Sequence, residues 1–133
     1  MRERVGNARV GRLATVSPDG RPHLVPLCFA LDGDVLYSAV DEKPKRSKRL
    51  KRVENIRSRP QVAVIVDHYE EDWTRLWWVR LDGTARVLDD GAEREHGLAL
   101  LREKYEQYRS QPPTGPVVAI DVRRWRNWTS ETE

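Results

Sequence analysis

The chain has 133 residues, 38% hydrophobic and 34% charged, with a net charge of +3, which describes one soluble domain over residues 1–133 whose lean core would gain from a second subunit. No apolar run approaches the roughly 20 residues a membrane span needs, and nothing after Met1-Arg2-Glu3-Arg4 has the character of a signal-peptide core, so a cytoplasmic location is expected. Cys28 is the only cysteine, which excludes an internal disulfide framework and a structural zinc site.

Residues 12–17 read as a short strand ended by Ser17-Pro18-Asp19-Gly20, where proline presets the turn and glycine supplies a positive φ. Residues 22–31 follow as a strand that is apolar on both faces, with Val25, Leu27 and Phe29 on one and Leu24, Pro26, Cys28 and Ala30 on the other. Such a strand is either buried twice or covered on one face by a ligand. Asp32-Gly33-Asp34 turns the chain into strand 35–40. Pro44 and Ser47 mark a helix start, Leu50, Val53 and Ile56 form its apolar stripe, and Arg59-Pro60 stops it after residue 58. The β-branched run 62–66 leads through Asp67-His68-Tyr69 into the acidic loop Glu70-Glu71-Asp72. Residues 76–88 form a long strand with a bulge expected at Asp82-Gly83. A second helix is predicted over 92–109, with Leu98, Leu101, Tyr105 and Tyr108 on one side, and a proline-rich connector leads to a last strand, 117–122. Six strands, two helices and no strand–helix alternation predict a mainly β protein, a six-stranded barrel with two peripheral helices.

The segment after strand 35–40 breaks a local rule. Lys43, Lys45, Arg46, Lys48, Arg49, Lys51 and Arg52 crowd the start of the helix, whose N-terminus already carries partial positive charge and unpaired N–H donors. An anion bound there resolves the conflict, and a strand, a loop, cations and a helix start make a recurrent phosphate cradle. Residues 43–59 hold nine Lys or Arg against Glu54 alone, a balance of +8, so the total of +3 leaves about −5 for the rest. Charge confined to one segment points to an anion site rather than to the broad basic face of a nucleic-acid binder. The plain alternative is a solvated basic helix surface.

His23, His68 and His96 show no metal-ligand spacing. His68 beside Asp67 suits either a strand-end structural role or a proton donor. Five tryptophans are dense for so lean a chain, and Trp77 or Trp78 could form an aromatic wall beside a flat ring. Adjacent strand residues face opposite ways, so both line it only if the strand is bulged.

Gly20-Arg21-Pro22-His23-Leu24-Val25-Pro26-Leu27, then Val35-Leu36-Tyr37-Ser38, then Asn55-Ile56-Arg57-Ser58-Arg59-Pro60-Gln61-Val62 resemble the pyridoxamine 5′-phosphate oxidase-like split β-barrel family over about residues 8–125. Lys43-Pro44-Lys45-Arg46, together with the stretch from Asp67-His68-Tyr69 through Trp73 to Leu76-Trp77-Trp78-Val79-Arg80, is similar to an actinobacterial branch that uses the deazaflavin coenzyme F420.

The resemblance implies a homodimer with two cofactor sites at the subunit interface. The cofactor ring would lie against Leu24, Val25, Pro26, Leu27 and Cys28, near Tyr37 and Ser38. Lys51 and Arg52 fall where flavin-binding relatives place phosphate-binding cations, and Lys43, Lys45, Arg46 and Ser47 compete for that role. Val25 and Ala30 stand where the oxidase has basic flavin contacts. A deazaflavin carries a phosphodiester and a polycarboxylate tail, which employs more cations than the single phosphate of FMN. The expectation is therefore an F420-binding oxidoreductase passing hydride to a small organic substrate, with no nucleic-acid partner. The alternatives are an FMN oxidase or reductase on the same fold and a non-catalytic F420 carrier.

Overall fold

The computed structural model describes residues 1–40 and 46–130, the side chains of residues 46–50 excepted. In chain order the elements are α1 (Arg2–Asn7), β1 (Gly11–Val16), β2 (Pro22–Leu27), β3 (Ala30–Asp32), β4 (Val35–Ala39), α2 (Arg46–Ser58), β5 (Gln61–His68), β6 (Trp77–Leu88), α3 (Ala92–Lys104), α4 (Glu106–Ser110) and β7 (Val117–Thr129). The strands pair antiparallel in one sheet, ordered β2-β1-β5-β6-β7-β4-β3. Its two edge strands are consecutive in sequence and separated only by Cys28 and Phe29, so the sheet curls until its edges adjoin. The result is a split barrel.

That link explains why there are seven strands and not the expected six. Residues 22–31 change partner midway: Val25 pairs with Leu13 of β1, whereas Ala30 pairs with Tyr37 of β4. At the break the Phe29 N–H donates to Tyr105 Oη at 3.0 Å, and its carbonyl accepts from Lys104 Nζ at 2.8 Å. The end of α3 thus satisfies backbone groups that a strand partner would otherwise have taken. A continuous apolar run carries no mark of such a switch.

Other boundaries also move. β7 continues to Thr129, because its polar second half pairs with the start of β6, Trp78 opposite Trp128 and Arg80 opposite Arg126. The bulge falls at Asp82/Gly83 as expected, with Arg123 the extra residue on β7. The second helix breaks at Tyr105, which is extended at φ −114°, ψ 116°. The sequence pattern gave no sign of α1, whose six residues are too few for a periodic signal. Val5 nevertheless has no exposed surface and joins the core, worth about 1.5–3 kcal/mol for a fully buried valine. Arg2 pairs with Asp34 and stacks over Trp125 at 4.3 Å, while Arg4 lies 5.3 Å from the centre of Trp77.

The main core fills the barrel: Leu13, Phe29, Leu36, Val64, Leu81 and Ile120 meet Val53 and Ile56 of α2. Asn55, fully buried on α2, donates from Nδ2 to Thr15 Oγ1 of β1 at 3.0 Å, fixing the helix to the barrel. A smaller cluster forms where α3 lays Leu101 over the outer side of β4 and β7, against Tyr37, Ala39, Val117 and Ala119. The outer face of β2, β1, β5 and the first half of β6 has no helix over it. Among the described residues no helix is long and apolar enough to cross a membrane.

Candidate functional site

Three consecutive features converge at the Pro22 end of β2. The turn from Ser17 to Gly20 closes with a Gly20 N–H bond to the Ser17 carbonyl at 2.9 Å, and Gly20 holds φ at 91°. Within this turn the Asp19 carboxyl is held below its ordinary range, first by the Ser17 hydroxyl and in smaller part by the charge of Lys51. Lys51 of α2 is thus near enough to the turn that opens β2 for its charge to be felt there. Arg59 anchors the other end of the helix by donating to the Pro18 carbonyl at 3.1 Å.

β2 presents two unlike faces. His23, Val25 and Leu27 oppose Thr15, Leu13 and Gly11 and face the barrel interior, where Leu27 is buried. Pro22, Leu24 and Pro26 face outward, and Leu24 is 68% exposed. Proline has no N–H to give a ladder, so Pro22 and Pro26 belong at positions whose backbone points away from β1, and Leu24 shares their parity. The free edge thus offers the Leu24 N–H and three carbonyls to a heterocycle. Cys28, half-buried at the far end, has its carbonyl occupied by the Ser38 hydroxyl at 2.8 Å.

The structure sets Leu24 and Pro26 on the outer face of one strand with Val25 and Leu27 behind them, Cys28 and Ser38 at its far end, and Lys51 toward the other end, while Arg52 is half-buried on α2. Tyr37 points the other way. Its side chain is under α3, where its hydroxyl donates to Glu93 at 3.0 Å, and burial foremost, with Glu93 adding, pushes that hydroxyl up to about 12. Any contact of Tyr37 with a ligand near Ser38 would run through its backbone. Lys43 and Lys45 lie outside the described residues, as do the side chains of Arg46 and Ser47.

Trp77 and Trp78 stand elsewhere in the protomer. They pair with His68 and Asp67 at the end of β5 opposite Gln61, and eight strand residues span about 25 Å. Trp77 is engaged locally, near-parallel to His68 at 6.2 Å and with Arg4 over its ring, whereas Trp78 is on the open outer face. His68 bonds Glu70 through Nε2 at 2.5 Å. The sequence reading passes over Lys104 and sets Tyr105 on a helix face, whereas the two together clamp the β2–β3 break. The one available signal was that Lys104 is the only lysine outside 43–51.

A seven-stranded antiparallel sheet curled until its edges adjoin defines the class of split β-barrel proteins. The chain belongs to the pyridoxamine 5′-phosphate oxidase family, whose model matches residues 1–129. Among solved structures, an FAD-binding protein from Mesorhizobium loti is similar at 24% identity and a TM-score of 0.73, over 95% of this chain and 89% of that one. A conserved hypothetical protein from Mycobacterium tuberculosis aligns at 22% identity and TM-score 0.77, over 96% and 81%. The heme storage protein HutZ from Vibrio cholerae aligns at 16% and 0.72, over 96% and 90%. At these identities the likeness is one of fold. No curated protein matches the chain.

Proposed function

We propose that the protein binds the deazaflavin coenzyme F420 and works as a homodimeric oxidoreductase on a small organic substrate. The observation that carries this reading is the open apolar face of β2, with Leu24 68% exposed, ending beside Lys51 of α2. A flat ring needs an apolar surface and a few backbone donors and acceptors, and an anionic tail needs cations at one end. The donor set present fits both needs, and the +8 balance of residues 43–59 favours a ligand with more anionic groups than FMN has.

When bound, the deazaflavin supplies or accepts the hydride. The chain's own part is binding, orientation and exclusion of water. Leu24 and Pro26 would supply the apolar surface for the ring and the free β2 edge would orient it, while Ser38 fixes the Cys28 carbonyl so that the strand end does not drift. Lys51 and Arg52 would hold the phosphate. A second copy covers the open face and brings Trp78 of the partner subunit toward the ring, since within one protomer Trp78 stands about 25 Å from the Lys51 end.

A carrier without turnover is the second reading. It is favoured by the outer face of β2, which offers only Pro22, Leu24 and Pro26 and no acid or base.

Calorimetric titration of F420 and FMN into the apoprotein tests the assignment. F420 is expected to bind more tightly, with Lys51→Ala plus Arg52→Ala weakening it by about 1–3 kcal/mol. FMN binding more tightly at every salt concentration overturns it. Failure of the reduced coenzyme to be oxidised by any of a broad panel of electron-poor acceptors leaves the carrier reading.

A further inference from the structure

Lys104 ends α3 as a cation without an anion. Its Nζ donates to the Phe29 carbonyl at 2.8 Å and stands 4.0 Å from the centre of the Phe29 ring and 5.3 Å from that of Tyr105. Arg9 shares this corner: its guanidinium lies 5.0 Å over the Tyr105 ring and donates to the Lys104 carbonyl at 3.1 Å. Neither side chain has a carboxylate partner among the described residues, so two positive charges meet in a half-buried place with carbonyls and ring faces to offset them. A buried charge is costly unless it is paired, and a desolvated lysine beside another cation is driven toward its neutral, nucleophilic amine. The amine also borders an open cavity of about 220 Å³ walled by Gly6, Ala30, Leu31, Leu100 and Glu103.

We propose that Lys104 is a carbamylation site, at which Nζ takes up carbon dioxide and the carbamate formed pairs with Arg9. The lone pair of the neutral amine forms the N–C bond, one C–O π pair moves onto oxygen, and one amine proton passes to water. Amine and carbon dioxide thus give a carbamate anion and a proton, with no oxidant or reductant. The remaining N–H keeps its bond to the Phe29 carbonyl, and the new carboxylate supplies the anion that Arg9 lacks. Carbon dioxide is small and apolar, which suits the aliphatic walls of the cavity. Burial foremost, and then Arg9, hold the amine at about 8, while Cys28 acts in the opposite sense. Tyr105 Oη is pushed up to about 12, chiefly by burial, and stays protonated. A pair of cations thereby becomes an ion pair at the clamp that sets where β2 gives way to β3, and carbon dioxide tightens that clamp. The site is built from α3, Arg9 and the β2–β3 break, and it stands independently of the cofactor assignment.

The test equilibrates the whole chain with isotopically labelled bicarbonate and carbon dioxide, traps carbamates by alkylation with a trialkyloxonium salt, and locates the label by peptide mass. At about pH 8 Lys104 should carry at least roughly fivefold more label than the exposed Lys51, and the excess should vanish about two pH units lower, where the amine is protonated. Arg9→Gln leaves the Lys104 amine in place and should cut its label at least roughly threefold when compared at equal fractions of neutral amine, while Arg9→Lys recovers part of the loss. Carbon dioxide should raise the urea midpoint of the parent protein and leave that of Lys104→Arg unmoved, since a group that adds to the folded state alone stabilises it. If a variant fails to fold, the labelling of the parent decides, because each lysine is read separately. Lys104 labelled no more than Lys51, or labelling indifferent to Arg9→Gln, overturns the proposal.

Discussion

The ring of Tyr37 occupies the space that a side chain at Gly97 would need: a Cβ there would come within 2.7 Å of the Tyr37 ring. This contact seats α3 on β4, and the Tyr37 hydroxyl continues it into Glu93, which Arg86 holds with two bonds of 2.7 and 2.9 Å while also reaching Asp121 at 2.8 Å.

Gly97→Ala is expected to destabilise the protein by about 1–3 kcal/mol, as overpacking of a filled contact does. Denaturant unfolding measures it. An unchanged midpoint would mean that α3 slides without cost and that Tyr37 does not register it.

Acid stability follows from Glu93, whose carboxyl is lowered from 4.5 to about 2, first by the Arg86 guanidinium and then by the Tyr37 hydroxyl. Because the folded value lies below the unfolded one, its contribution is complete above about pH 4.5 and disappears as the pH falls through about 2. The group is more than a third exposed, so screening reduces its worth to about 1 kcal/mol. Glu93→Gln should lose that much at neutral pH and flatten the stability profile between those values. A mutant profile parallel to the parent's would remove Glu93 from the account.

Lys104 behaves in the opposite sense. Burial foremost, and then the charge of Arg9, lower its amine from 10.5 to about 8. Between those values the unfolded chain binds more protons than the folded one, so stability should rise with pH across that window. In Lys104→Met the rise should vanish, as pH-dependent unfolding will report. Reductive methylation that finds the Lys104 amine titrating above 10 contradicts the assignment.

The open face of β2 predicts self-association. Leu24→Glu should convert a dimer burying more than about 2,000 Å² into monomer at micromolar concentration, measured by light scattering. A parent protein already monomeric under those conditions sinks the shared-site model.

Much of the architecture was legible because it is written in local chemistry. The Ser17–Gly20 turn, the Asp82-Gly83 bulge and the Val53/Ile56 stripe each follow from residues near in sequence, and each falls where the pattern put it. What escaped depends on partners distant in the chain. Phe29 leaves one strand for another because Tyr105 accepts from its N–H and Lys104 donates to its carbonyl, and nothing within 22–31 records that. Residues 124–129 look too polar for a strand until the start of β6 is set beside them. Of the candidate site, the apolar character of 24–28 was readable, whereas the bond from the Ser38 hydroxyl to the Cys28 carbonyl was not. Nor was the orientation of Tyr37, because it is decided by α3, more than fifty residues later.

The order of the sheet also sets a timetable. β7 lies between β6 and β4, so the seventh strand to be made is the one that joins the two portions of the barrel. While residues 117–129 remain within the ribosome, β2-β1-β5-β6 and the β3-β4 hairpin can each form, but no strand pairing joins them, and β4 and β6 both present unpaired edges. The nascent chain is therefore most exposed to wrong pairing just before β7 emerges, the interval in which strand edges recruit neighbours.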